Sequence, residues 1–196
     1  MTISDDRVLE MILRRWAGLD PEAEHGKGTA ERFLRALDEM TSCKPTGDVA
    51  LDEKHDVECI KWKTFRVEEQ DMIVVDSIPF VSLCNHHLVP FMGEAHIGYV
   101  PENKILGLSK FPRVVQHFSR QLQVQENLTR DISDYLHAGL EPKGLIVVMR
   151  AQHMCMGLRG VKSPGWTTTA AVRGVFASHD RTAKQEFYQL LNGRLK

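Results

Sequence analysis

Ser82-Leu83-Cys84-Asn85-His86-His87-Leu88-Val89-Pro90-Phe91 places a thiol and two imidazoles within four positions. Cys84 and His87 are three apart, so a turn or a strand end can aim both at one ion. A second sulfur–imidazole pair lies far downstream, in Gln152-His153-Met154-Cys155-Met156. Soft thiolates with a borderline imidazole suit Zn²⁺, and three protein ligands leave a fourth position for water, the mark of a catalytic rather than a closed structural site. His86 and His87 are adjacent and would diverge on a strand, so one of them ligates. His153 and Cys155 are two apart and share a face if that stretch is extended, one reaching the metal and the other standing beside it. Any one of these cysteines alone reads as a buried, inert thiol. The spacing Cys-x-x-His together with His-x-Cys favours a metal centre.

The segments around these two stretches change period along the chain. Residues 5–17 carry Val8, Leu9, Ile12, Leu13 and Trp16 at helical spacing, after Ser4 or Asp5 as a cap. A polar loop with Pro21, Gly26 and Gly28 follows, and Thr29 caps a second helix with Phe33, Leu34, Leu37 and Met40 on its apolar face. Both helices are short for independent stability and are expected to pack on something larger. Residues 42–60 read as a loop. From Thr64 the runs become β-branched, and Thr64–Glu68 with Met72–Ile78 reads as a hairpin. Met92–Val100 is a further strand. Ser109 caps a helix through about Leu122, with Pro112 at its third position, where a missing N–H breaks no helical bond. A helix over about Val124–Ala138 ends at Gly139 and Pro142. Leu145–Ala151 and Thr167–Phe176 are strands, and Asp180 caps a last helix through Leu191. This order predicts an α+β fold, an antiparallel sheet with two covering helices and an N-terminal helical extension. The sheet's other face is expected to be solvated or covered by another copy. Residues 1–62 form the helical region and loop, and 63–196 the main domain.

Composition narrows the function classes. The chain has 196 residues, 42% hydrophobic and 26% charged, which is ordinary for a soluble globular protein. A net charge of −1 gives no basic field for nucleic acid or for a membrane surface, so a polyphosphate substrate would need a local cationic cluster. No apolar run approaches the roughly 18 residues of a membrane span, and the acidic N-terminus is no signal peptide. Four cysteines without paired spacing argue for a reducing compartment and a cytoplasmic enzyme. A local cationic cluster is available in Ser109-Lys110-x-x-Arg113, where helix N–H groups, Lys110 and Arg113 can flank a phosphate. Without further context it reads equally as a capped helix with solvated bases.

Cys84-Asn85-His86-His87-Leu88-Val89-Pro90-Phe91, Gly107-Leu108-Ser109-Lys110, Gln123-Val124-Gln125-Glu126-Asn127-Leu128-Thr129 and His153-Met154-Cys155-Met156 resemble, in order and spacing, the motifs of the GTP cyclohydrolase I family. The likeness spans roughly residues 66–176 and is looser in the N-terminal third. It implies the tunnelling fold (T-fold), in which sheets of several subunits join into a barrel, and a toroidal homodecamer of two pentamers with sites at subunit interfaces. It further implies zinc held by Cys84, His87 and Cys155, with acid–base duty at His86 and His153. Hydrolytic opening of the guanine imidazole ring of GTP, release of formate and closure to 7,8-dihydroneopterin triphosphate follow, with Ser109 aiding the ribose rearrangement. Glu126 and Gln125 would hold the base. Lys110, Arg113, Arg159 and Arg32 would hold the triphosphate, although Ala30 stands where the family's Thr-Pro-x-Arg motif has proline. Asn85 replaces the glutamate usual between the zinc cysteine and the first histidine, which removes a charge beside the site. Alternatives are a purine nucleotide hydrolase that stops at the ring-opened formamidopyrimidine, a non-catalytic pterin- or purine-binding T-fold protein, and a structural zinc protein with His86 or His153 as fourth ligand.

Overall fold

Runs of β-branched and aromatic residues from Ile73 to Val100, and again from Leu145, favour long pleated strands. The computed structural model describes residues 4–42, 60, 62–68 and 70–191. The chain divides into two units, Met1–Ser42 and Cys43–Lys196. The predicted loop over 42–60 lies, apart from Ser42 and Ile60, outside the described residues.

The first unit holds α1 (Asp5–Ala17) and α2 (Thr29–Met40). Ser4 occupies the N-cap of α1, and Gly18 closes it in the left-handed region at φ 64°. Gly28, rather than Thr29, is the N-cap of α2. α1 buries no residue and leaves Trp16 80% exposed, in keeping with helices too short to make a core of their own.

In the second unit, β2 (Ile73–Cys84), β3 (Pro90–Val100), β6 (Gly144–His153) and β7 (Trp166–Gly174) form an antiparallel sheet in that order. A two-residue β5 (Leu122–Gln123) lies parallel to the end of β2. The predicted hairpin of Thr64–Glu68 with Met72–Ile78 does not form. β1 (Thr64–Arg66) pairs instead with β4 (Lys104–Leu106), and residues 73–78 are the front of β2. The strand runs on because a bulge absorbs the irregularity: the register shifts between Val75 and Ile78, with Ser77 at φ 53°. Pro79 is tolerated because β5 reaches only Leu83 and Cys84, so β2 is an edge where the proline sits.

α3 (Lys110–Ser119) and α4 (Gln125–Leu140) cover one face, as expected, although α3 stops before Leu122, which enters β5. Leu128, Ile132, Leu136 and Leu140 recur every four residues along α4 and are fully buried with Phe111, Val114 and Val115 of α3. Burial of each large side chain contributes about 1.5–3 kcal/mol. The other face is not left bare by this chain. A 3₁₀ turn at Val175–Ala177 and α6 (Thr182–Leu190) bring Phe176, Phe187 and Leu191 against Ile146 and Val148. Phe187 fits because residue 98 is glycine: a Cβ there would lie 2.5 Å from its ring.

Two glycines of β3 therefore have different tolerances. At Gly93 an added Cβ would meet the backbone carbonyl of Arg150, which is fixed in the ladder, whereas at Gly98 it meets a movable ring. Gly98→Ala is expected to cost about 1–3 kcal/mol and Gly93→Ala at least the upper end of that range. Urea unfolding with matched m-values checks the order.

Candidate metal centre

Cys84 ends β2 and opens a tight connection to β3. Its carbonyl accepts the N–H groups of His87 (3.2 Å) and Leu88 (2.8 Å), and its own N–H donates to Val89 O at 2.9 Å. Leu88 adopts φ 54° to close this turn. His86 and His87 thus stand on a turn rather than a strand, with ring centroids 6.2 Å apart and planes at 77°. Cys84 Sγ is buried, 3.9 Å from His87 Nδ1 and 4.0 Å from His86 Nδ1.

The second half of the centre comes from the end of β6. Phe91 of β3 pairs with Ser82 on one side and with His153 on the other, so β2 and β6 finish next to each other. His153 is the last strand residue. The extended geometry considered for residues 153–155 is not observed, because Met154–Gly157 turn into a single helical turn, α5. Cys155 on that turn still reaches the group. Among the described residues, Cys84, His87 and Cys155 bring one donor atom each within 4.8 Å of one another. Tetrahedral zinc with bonds of about 2.3 Å to sulfur and 2.0–2.1 Å to nitrogen would draw such donors to roughly 3.5–3.8 Å apart. The donor set fits zinc after a contraction of about 1 Å or less. Both cysteines are free thiols. Burial, and then the neighbouring Cys84, push the Cys155 thiol above its usual range, while Arg159 opposes them. Two sulfurs that resist joint ionisation in the absence of a cation are what a divalent ion would stabilise.

His153 is held on two sides. Its ring stacks on Phe91, centroids 4.8 Å apart and planes at 2°, and its Nε2 lies 2.7 Å from Gln125 Oε1. Burial lowers its pKa, and the carboxylate of Glu126 acts against that shift. Gln125, expected at the substrate's base, is 1% exposed. The two protons of its Nε2 are shared among Met149 O, Thr167 O and Thr169 Oγ1, each at 3.1 Å, so its amide nitrogen is engaged inside the protein. Glu126, one position on, is exposed at the first turn of α4.

The structure thus brings together Cys84, His86, His87, Cys155, His153 and Gln125, with the charges of Glu126 and Arg159 acting on them. Ser109, Lys110 and Arg113 sit on another element, the start of α3. Ser109 holds the N-cap place with helical backbone angles and makes no capping bond. Arg32 belongs to the first unit, where its guanidinium donates to Lys27 O at 2.8 Å and Thr29 Oγ1 at 3.0 Å. Asn85 is exposed, and its N–H donates to Gln123 O at 2.9 Å. His96 is a buried sheet residue whose Nδ1 accepts the Ser77 N–H at 3.2 Å. Sequence reasoning missed Phe91 as the ring under His153 and Thr129 as a polar core residue. No spacing rule marks either, since both depend on strand register.

A family model described as GTP cyclohydrolase I matches residues 6–192. Curated relatives include GTP cyclohydrolase 1 of Aquifex aeolicus (strain VF5), 44% identical over 98% of this chain and 100% of that protein. Another is GTP cyclohydrolase 1 of Campylobacter jejuni subsp. jejuni serotype O:6, 46% identical over 94% of this chain and 90% of that protein. A crystal structure of the archaeosine synthase QueF-Like in the apo form is similar with a TM-score of 0.47 at 15% identity, covering 55% of this chain and 97% of that one.

The donor geometry generates a metal-binding prediction. Zn²⁺ should bind at about one per chain, and Cys84→Ser, His87→Ala and Cys155→Ser should each weaken it by at least about tenfold, whereas His86→Ala should leave it within about twofold. Ligation needs thiolates and the Cys155 thiol is raised, so affinity should climb as pH rises through neutrality. Competition against a chromogenic chelator measures both effects.

Proposed function

The chain belongs to the GTP cyclohydrolase I family, and from that premise we propose how its residues perform the family's reaction. GTP is the substrate. The imidazole ring of its guanine is opened by water at C8, formate leaves, and the remainder closes to 7,8-dihydroneopterin triphosphate. Two hydrolytic waters enter and ring closure returns one, so one water is consumed overall.

Cys84, His87 and Cys155 would hold Zn²⁺, which as a Lewis acid makes water nucleophilic near neutral pH. The convergence of these three donors beside His153 is the observation that carries the reading. His153 and His86 move protons to and from the opening ring, a task suited to groups that titrate near working pH. Burial holds His153 toward its neutral, proton-accepting form, and Glu126 keeps it within reach of protonation. Glu126 is exposed and charged, so it can accept the N1 and 2-amino hydrogens of the base in parallel. Gln125 supports His153 instead of touching the base. The start of α3, with Lys110 and Arg113, together with Arg159, neutralises the triphosphate. Ser109 assists the ribose rearrangement by passing a proton at its hydroxyl.

We assign the homodecamer and a cytoplasmic setting on the same premise. Free thiols at the centre fit a reducing compartment. Among the described residues, no helix is long and apolar enough to cross a membrane. β7 ends the sheet with no further strand of this chain beside it among the described residues, which suits continuation into another copy.

Zinc-loaded protein incubated with GTP should release formate and a pterin that fluoresces after oxidation. His153→Ala should lower turnover by about 10²–10⁴-fold while circular dichroism and zinc content stay unchanged. GTP consumption without pterin, or full turnover in His153→Ala, would count against this assignment.

A further inference from the structure

We infer that Gln125, backed by Thr169 and Thr129, is a positioning residue that fixes His153 as the Nε2–H tautomer and makes Nδ1 the nitrogen that exchanges protons with substrate. This inference rests on the reading of His153 as a proton carrier.

The direction of every bond in the network follows from groups that have no choice. Met149 O and Thr167 O are backbone carbonyls and only accept, so the group of Gln125 facing them is its NH₂. Its oxygen is thereby turned toward His153, 2.7 Å from Nε2. An amide oxygen only accepts, so the proton of that bond sits on His153 Nε2. The hydroxyls behind the amide agree. Thr129 donates to the backbone carbonyl of Gln125 at 2.7 Å, which commits its only proton. Thr169, 2.6 Å from Thr129 Oγ1, must then be the donor in that pair, and its lone pair is left for the Gln125 NH₂ at 3.1 Å. The loop from amide to hydroxyl to hydroxyl to carbonyl runs one way only. Gln125 and Thr129 are each 1% exposed, so water does not offer an alternative set of partners. Flipping the amide would set its oxygen against two carbonyl oxygens.

The ring cannot escape by rotating either. Phe91 lies flat against it at 4.8 Å and holds its plane, and a half-turn about χ2 within that plane would put Cε1 where Nε2 now meets Gln125, losing that bond. The neutral imidazole therefore carries its lone pair at Nδ1. A proton taken from the reaction arrives there and leaves from there, and the Nε2–H bond neither forms nor breaks during the cycle. Gln125 has no proton to exchange at its oxygen, so it orients and does not relay. The same geometry accounts for its burial, which a side chain that grips substrate would not need.

The ¹⁵N spectrum of the full zinc-loaded protein carrying labelled histidine tests this directly. The His153 signals are assigned by their loss in His153→Asn, at a pH of about 8 where an imidazole is neutral. A pyrrole-type Nε2 with a pyridine-type Nδ1 is expected. The reverse pattern, or two averaged signals, overturns the inference. Gln125→Met should lower kcat by about 10- to 100-fold with KM for GTP within about twofold. Raised KM at unchanged kcat would mean that Gln125 grips substrate, which also overturns it. Should Gln125→Met fail to fold, Thr169→Val is the second variant, with a smaller kcat loss that Thr169→Ser restores; a loss not restored by serine goes against the proposal. The two levels separate cleanly. Full turnover in His153→Ala removes the proton-carrier reading whatever the spectrum shows, and a dead His153→Ala with the reversed tautomer removes only the present inference.

Discussion

Phe91 stands opposite Ser82 in one ladder and opposite His153 in the other, and this double register positions the whole centre. Strand side chains alternate with period two, so a slip of one residue in either ladder would send Cys84 or His153 to the opposite face. The cysteines are far apart in sequence, and neither carries information about the other's position. The pairing of β3 with both β2 and β6 supplies that information. Phe91 also contributes its own ring as the surface on which His153 lies. Cys84, His87 and Cys155 then need only a turn and one helical turn to converge.

What holds the register is apolar burial more than charge. The α4 stripe and the α3 residues press on one face, and Phe176, Phe187 and Leu191 press on the other. At about 1.5–3 kcal/mol for each large side chain, these contacts outweigh the ion pairs at the rim. The pair of Arg173 with Asp134 ties β7 to α4 but is a third or more exposed on both sides, which limits it to about 0–1 kcal/mol. Gln125 is the exception within this apolar setting. Burying its amide is tolerable because every hydrogen-bonding atom has a partner, and the penalty for removing one of them is what makes its orientation so definite.

The cluster of Cys84, His87 and Cys155 was legible in the sequence because soft-metal chemistry restricts residue type and spacing, and those restrictions survive without coordinates. The helices were legible for the same kind of reason: four-residue recurrence in α4 and proline placement in α3 are local signals. Helix caps and ends slipped locally, and the larger failures were non-local. Thr64–Arg66 and Ile73–Ile78 looked like partners because they are neighbours in sequence, yet β1 found Lys104–Leu106. β2 runs on through Pro79 because edge placement removes the penalty that a proline brings to a strand paired on both sides. An extended run was one geometry open to residues 153–155, and nothing in Met154-Cys155-Met156-Gly157 announces the helical turn that forms there. The family likeness places Gln125 at the base, and the structure buries its side chain. Its burial is decided by Thr167 and Thr169 across on β7, which no local pattern connects to it.

Asn85 can now be weighed by magnitude. Its backbone is committed to the sheet through Gln123, and its side chain lies on the exposed side of the turn. A divalent ion with two thiolates and a neutral imidazole sums to no net charge. A glutamate at position 85 would add one negative charge to the rim of that group, and asparagine adds none. In water a unit charge at 4 Å is worth about 1 kcal/mol, and less once salt screens it. The substitution therefore shifts the local field by a small amount and leaves the donors, His153 and its support untouched. It also removes a repulsion that an incoming triphosphate would otherwise meet, so the cationic side chains have less to offset. A change of that size adjusts substrate affinity. With the chemistry placed at the ends of β2 and β6, as proposed, it is too small to abolish the reaction.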